Sequence, residues 1–196
     1  MSVKVPGGTT KNPFATFLDL LETVIYALAI SMVLLTMVLR VGGVSGSSMQ
    51  STLENGDWYV VSNLFYTPQR GDIVVFEPDP AVIEGHQDEK ETLFVKRIIA
   101  LEGDVVDIRK NEETGICEVY VNDEKLDEPY LDDWQTTVPR NMEFPHTVAK
   151  NCLFVLGDNR IVSNDSRSIG DVDARRLVGR ILIRIAPLNK LGAVEG

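Results

Sequence analysis

Seventeen consecutive residues without a charge, Thr23 to Leu39 (TVIYALAISMVLLTMVL), constrain this chain more than anything else in it. A helix that crosses a bilayer needs about 17–25 mostly apolar residues. Phe17, Leu18, Leu20 and Leu21 extend the apolar stretch, with Asp19 and Glu22 near its entry. A core helix of this character is hard to cover in so small a chain. A cleavable export signal has a shorter apolar region, about 7–15 residues, with a small-residue site close behind it; here Ala29 and Ser31 fall inside the run. An interfacial helix needs a strong polar face, which the run lacks. The expectation is a single-pass membrane anchor over 23–39. Residues 1–22 then form a tail and helix start, with 1–13 reading as a mobile end, and residues 40–196 form a domain.

Orientation rests on weaker marks. Lys4 and Lys11 precede the run and Arg40 follows it, so the basic bias is slight. The chain carries 29 acidic against 19 basic residues, a net charge of −10, and most of that charge lies after the run. This favours a cytoplasmic N-terminus in the cell membrane and an extracytoplasmic domain. The same charge argues against nucleic acid as a partner, because phosphate binding needs a basic face.

After Val44 the pattern changes to short β-branched runs separated by turn residues. Trp58–Val61, Asp72–Phe76, Leu93–Val95, Val105–Ile108, Ile116–Val121, Leu153–Leu156 and Ile181–Ile185 read as strands. Asn55-Gly56-Asp57, Arg70-Gly71-Asp72 and Glu102-Gly103-Asp104 mark turns between them. The fold class is therefore mostly β: an N-terminal transmembrane helix, then a β-rich domain. Glu77–Thr92 reads as an exposed acidic loop, and about 104–150 as a small inserted β lobe with no sign of chemistry. Cys117 and Cys152 stand apart without a histidine cluster, so no metal site is expected. Free thiols and, in an oxidising compartment, a disulfide both stay open. His86 and His146 read as surface residues.

Three places carry residues able to do chemistry. Ser48 sits in the Gly/Ser-rich stretch Val44–Leu53 just past the apolar run, and a serine needs a base to become a nucleophile. Lys96 interrupts the apolar run Phe94–Ala100. It reads either as a solvent-facing lysine on an edge strand or as a base. A base must be neutral, and a lysine with the ordinary pKa of about 10.4 is not; burial among Val95, Ile98 and Ile99 disfavours the ammonium form. Gly157–Gly170 is dense in Asp, Asn, Ser and Arg, either a hydrogen-bonded surface loop or a buried network that orients something else.

Taken together, Gly46-Ser47-Ser48-Met49 with Thr52-Leu53, Arg70-Gly71-Asp72-Ile73-Val74, Lys96-Arg97 with Gly103-Asp104, and Gly157-Asp158-Asn159-Arg160 with Ser163, Asp165, Ser166 and Arg167 resemble the bacterial type I signal peptidases. These are membrane-anchored Ser/Lys endopeptidases. The resemblance implies Ser48 as nucleophile, Lys96 as general base, and Ser163 as the hydroxyl that orients the lysine amine. It implies ion pairs of Asp158 with Arg97 and of Asp165 with Arg167. Val44, Met49, Leu53 and Val95 would form shallow pockets for small residues, giving Ala-x-Ala selectivity and an acyl-enzyme route. Signal peptides of secreted preproteins, the lipid bilayer and the export machinery are the implied partners, with no cofactor. Two departures stand out: Ser51 where the family commonly has proline, and Gly46 where some members carry an oxyanion-binding serine.

Overall fold

The computed structural model of the chain describes residues 13–80, 93–132 and 136–194. The tail ahead of Pro13 and the greater part of the acidic loop, including His86, lie outside the described residues. The chain divides into two units, residues 1–38 and 39–196.

The first unit is one helix, α1, over Pro13–Val38. Its 26 residues measure about 39 Å at 1.5 Å per residue, against a hydrocarbon core of about 30 Å. Within it, Pro13–Val33 is long and apolar enough to cross a membrane, and none of that stretch is buried by protein. Proline opens the helix where its missing N–H has no intrahelical partner to lose. The chain turns into a strand at Leu39, whose backbone pairs with Ser62; the expected anchor had extended through that residue.

The second unit is β-rich. Its strands are β1 (Leu39–Gly43), β2 (Trp58–Ser62), β3 (Ile73–Phe76), β4 (Phe94–Leu101), β5 (Val105–Lys110), β6 (Cys117–Val121), β7 (Glu124–Lys125), β8 (His146–Thr147), β9 (Cys152–Leu156), β10 (Val172–Asp173), β11 (Leu177–Ala186) and β12 (Gly192–Ala193). A short helical turn, α2, covers Ser166–Ile169. The larger sheet runs β1-β2-β11-β3-β4-β9-β10, with β12 on β11, and the smaller runs β7-β6-β5-β8. All pairings are antiparallel.

β3 shows why the larger sheet needs apolar residues on both faces. Ile73 and Val75 enter a cluster with Tyr59, Val61 and Ile181, while Val74 and Phe76 enter another with Ile98 and Val155. Period two in the sequence becomes two cores, one on each side of the strand. The smaller sheet matches the expected lobe in place. Its Val106, Val119 and Val121 pack on Ile99, Phe154 and Leu156 of the larger sheet. Cys117 and Cys152 are free thiols. His146 is not a bare surface residue: its Nε2 lies 2.9 Å from Asp171 Oδ1.

Candidate active site

Ser48 lies on the turn that follows β1. Leu53 N–H donates to the Met49 carbonyl at 2.8 Å, closing a five-residue turn. The Met49 and Leu53 side chains both enter the core, at 1% and 0% exposure. The core therefore grips the turn directly after Ser48 and leaves the hydroxyl half-buried at the rim. The Ser48 carbonyl accepts from Asn159 N–H at 3.0 Å, which ties the turn to the polar loop after β9.

Lys96 sits in β4, between β3 and β9, so the edge-strand alternative does not hold. Its side chain is 4% exposed. Nζ lies 2.8 Å from Ser48 Oγ, donates to the Val95 carbonyl at 3.0 Å, and stands 5.2 Å from the centre of the Phe94 ring. Ser48 and Lys96 share a cavity of about 190 Å³ with Ser45, Gly46, Ser47, Phe94, Val162 and Asn164. Gly46 N–H points elsewhere, donating to Asn55 Oδ1 at 3.1 Å.

Two buried arginine–carboxylate pairs frame this cavity. Arg97, next to the lysine on β4, grips Asp158 through Nε and Nη2 at 2.9 and 2.8 Å, with both side chains at 0% exposure. Asp158 also accepts from the Thr52 hydroxyl, so one carboxylate joins β4, the polar loop and the turn that carries Ser48. Arg167 grips Asp165 through Nε and Nη2, both at 2.8 Å. Asp165 in turn accepts from Gly157 N–H at 3.1 Å. Burial pushes the Asp165 carboxyl up, but the Arg167 guanidinium, the Ser163 hydroxyl and the Gly157 N–H together hold it below the usual value of 3.8.

Ser163 is fully buried, with its hydroxyl beside Asp165, whose carboxyl it helps hold down. It packs so tightly on Gly157 that a Cβ there would lie 2.2 Å from Ser163 Oγ and 2.4 Å from the Ser48 carbonyl oxygen. Val44, Met49 and Leu53 belong to one buried cluster, with Val95 packed against it half-buried. These four line none of the 190 Å³ cavity; they form the apolar mass beside it. Phe94, Asn164 and Val162, which do line it, carried no signal in the sequence beyond their neighbours.

Residues 17–186 match the family described as signal peptidase, peptidase S26. The chain belongs to that family. Among its signal peptidase relatives is the probable signal peptidase I-2 of Synechocystis sp., 34% identical over 184 residues, covering 92% of this chain and 78% of that one. The signal peptidase I of Leptolyngbya laminosa is 30% identical over 190 residues, covering 95% and 88%. That of Bacillus caldolyticus is 35% identical over 160 residues, covering 75% and 79%. As in other members of the signal peptidase family, chemistry here concerns a peptide bond. An apolar N-terminal helix preceding a peptidase domain in the chain is consistent with membrane anchoring.

Proposed function

We propose that the protein is a type I signal peptidase that cleaves exported preproteins after small residues, with Ser48 as nucleophile and Lys96 as base. The observation that carries this is the 2.8 Å approach of Lys96 Nζ to Ser48 Oγ, at a lysine only 4% exposed. Neutral Lys96 takes the Ser48 proton as Oγ attacks the scissile carbonyl. The Ser48 N–H receives the oxyanion, and the lysine ammonium returns its proton to the leaving amine. The Ser48–acyl ester then yields to a water that Lys96 deprotonates. With glycine at position 46, no hydroxyl is offered from that residue, and a single oxyanion donor is worth about 2.7–4 kcal/mol.

Ser163 acts on Lys96 as an orienting hydroxyl. Its support is full burial against Gly157, the residue that also packs on the Ser48 carbonyl. Val95, half-buried against the cluster of Val44, Met49 and Leu53, gives the substrate a shallow apolar floor backed by those three, which admits alanine at P1 and P3 and excludes larger side chains. α1 spans the cell membrane once with the catalytic domain outside, where preproteins emerge from the export machinery. From Leu39 to Ser48 the chain reaches at most about 30 Å at roughly 3.3 Å per residue, which keeps the nucleophile near the bilayer.

The test is cleavage of a signal-bearing preprotein with an Ala-x-Ala site, in detergent. Ser48→Ala and Lys96→Ala are each expected to abolish processing while keeping the wild-type melting curve. Processing at the wild-type rate by either variant overturns the assignment.

A further inference from the structure

The Glu128–Tyr130 segment, beyond β7 in the smaller lobe, contacts the supports of both proposed catalytic residues. Glu128 is bonded through both carboxylate oxygens to Arg160, whose side chain is fully buried. Arg160 Nη1 also donates to Thr137 Oγ1 at 2.6 Å, and its Nε donates to the Gly157 carbonyl at 3.0 Å. Gly157 is the residue against which the Ser48 carbonyl is packed. Two residues along, the Tyr130 ring lies 3.8 Å beneath the Arg97 guanidinium. Its carbonyl accepts from Ser51 Oγ at 3.4 Å, and its hydroxyl donates to Glu128 Oε1 at 3.0 Å. Burial, then the Glu128 charge, raise the Tyr130 hydroxyl well above its ordinary value, so it stays a donor.

We infer that Glu128 and Tyr130 are positioning residues for the peptidase reaction: together they set the Ser48–Lys96 separation from outside the cavity. This rests on the Ser48/Lys96 reading above. The route to Ser48 runs from Glu128 through Arg160 to Gly157, and from the Tyr130 carbonyl to Ser51 in the nucleophile turn. The route to Lys96 runs from the Tyr130 ring to Arg97, its neighbour on β4. The hydroxyl–carboxylate bond between Tyr130 and Glu128 locks the two routes to each other. A lobe that packs on the main sheet thereby acts on the reacting atoms without touching them.

A second arginine-over-tyrosine contact in the same lobe supplies the control. Arg109 lies 4.5 Å over the Tyr120 ring on β6, and its ion-pair partners are Asp107 and Asp123. With the full chain in detergent and a signal-bearing preprotein as substrate, Tyr130→Leu is expected to lower kcat by about tenfold or more, with KM within about twofold. Tyr130→Phe, which keeps the ring under Arg97 and loses only the bond to Glu128, should recover part of that loss. Glu128→Gln, which keeps the shape and removes the charge, should also lower kcat rather than raise KM, and it serves if Tyr130→Leu does not fold. Tyr120→Leu should leave kcat unchanged. A wild-type kcat in Tyr130→Leu or Glu128→Gln, a change confined to KM, or an equal loss in Tyr120→Leu overturns the inference. Ser48→Ala is run alongside: if it still cleaves, the dyad reading has failed, not the positioning.

Discussion

Gly157 has no room for one more carbon. Its Cα faces the Ser48 carbonyl and the buried Ser163 hydroxyl, and an added Cβ would meet a backbone oxygen at 2.4 Å. Backbone yields less readily than a flexible side chain. Gly157→Ala is therefore expected to destabilise the fold by about 1–3 kcal/mol and to displace Ser48, so that cleavage falls further than stability does. Chemical denaturation and preprotein cleavage on the same sample check this; an unchanged rate contradicts it. Asp165 gives the domain an acid-sensitive element. Because Arg167 lowers its pKa on folding, the folded state binds fewer protons than the unfolded chain. The resulting stability is present above the ordinary value of 3.8 and drains away as pH falls through the lower folded value. Asp165→Asn lacks this contribution. The stability gap between wild type and variant should narrow as pH drops below about 4, and a gap independent of pH contradicts the ion pair.

The elements around the site are joined by charge as much as by strand pairing. Arg97 on β4 reaches Asp158 in the loop after β9, with neither side chain exposed. Removing one partner strands the other without water. Asp158→Ala should cost about 3–5 kcal/mol, read as a shift in denaturation midpoint, and it also releases the Thr52 hydroxyl. A loss under about 1 kcal/mol would mean that the pair behaves like an exposed one. Much of this scale was legible in the sequence, because β2, β3, β5, β6, β9 and β11 carry alternating or continuous β-branched runs. β1 was not, since Leu39–Gly43 continues an apolar run and ends in two glycines. The two-residue strands β7, β8, β10 and β12 are too short for any period. Resemblance to a family singled out Ser48, Lys96, Ser163 and the two ion pairs; residue pattern alone left Lys96 and the Gly157–Gly170 loop each with an ordinary alternative. Neither pattern nor resemblance pointed to Tyr130 under Arg97, because a contact across folded strands has no signature in local composition.

The whole molecule is an apolar helix joined directly to a β-rich peptidase domain. Pro13–Val33 of α1 is long and apolar enough to cross a membrane, which is consistent with a membrane anchor. The full chain should sediment with membranes and resist alkaline extraction. A chain starting at Leu39 should still cleave a soluble Ala-x-Ala peptide, and more slowly cleave a membrane-inserted preprotein, because it has lost proximity. Recovery of the full chain in the soluble fraction would contradict the anchor. The central chemical claim is that an uncharged amine takes the Ser48 proton. Its most direct measurement is the pH dependence of kcat/KM for wild-type cleavage of a signal-bearing substrate. The neutral fraction of Lys96 grows with pH, so the rate should climb along a single-proton limb through the folded pKa of the lysine. A rate that stays flat between about pH 5 and pH 9 would contradict a lysine base.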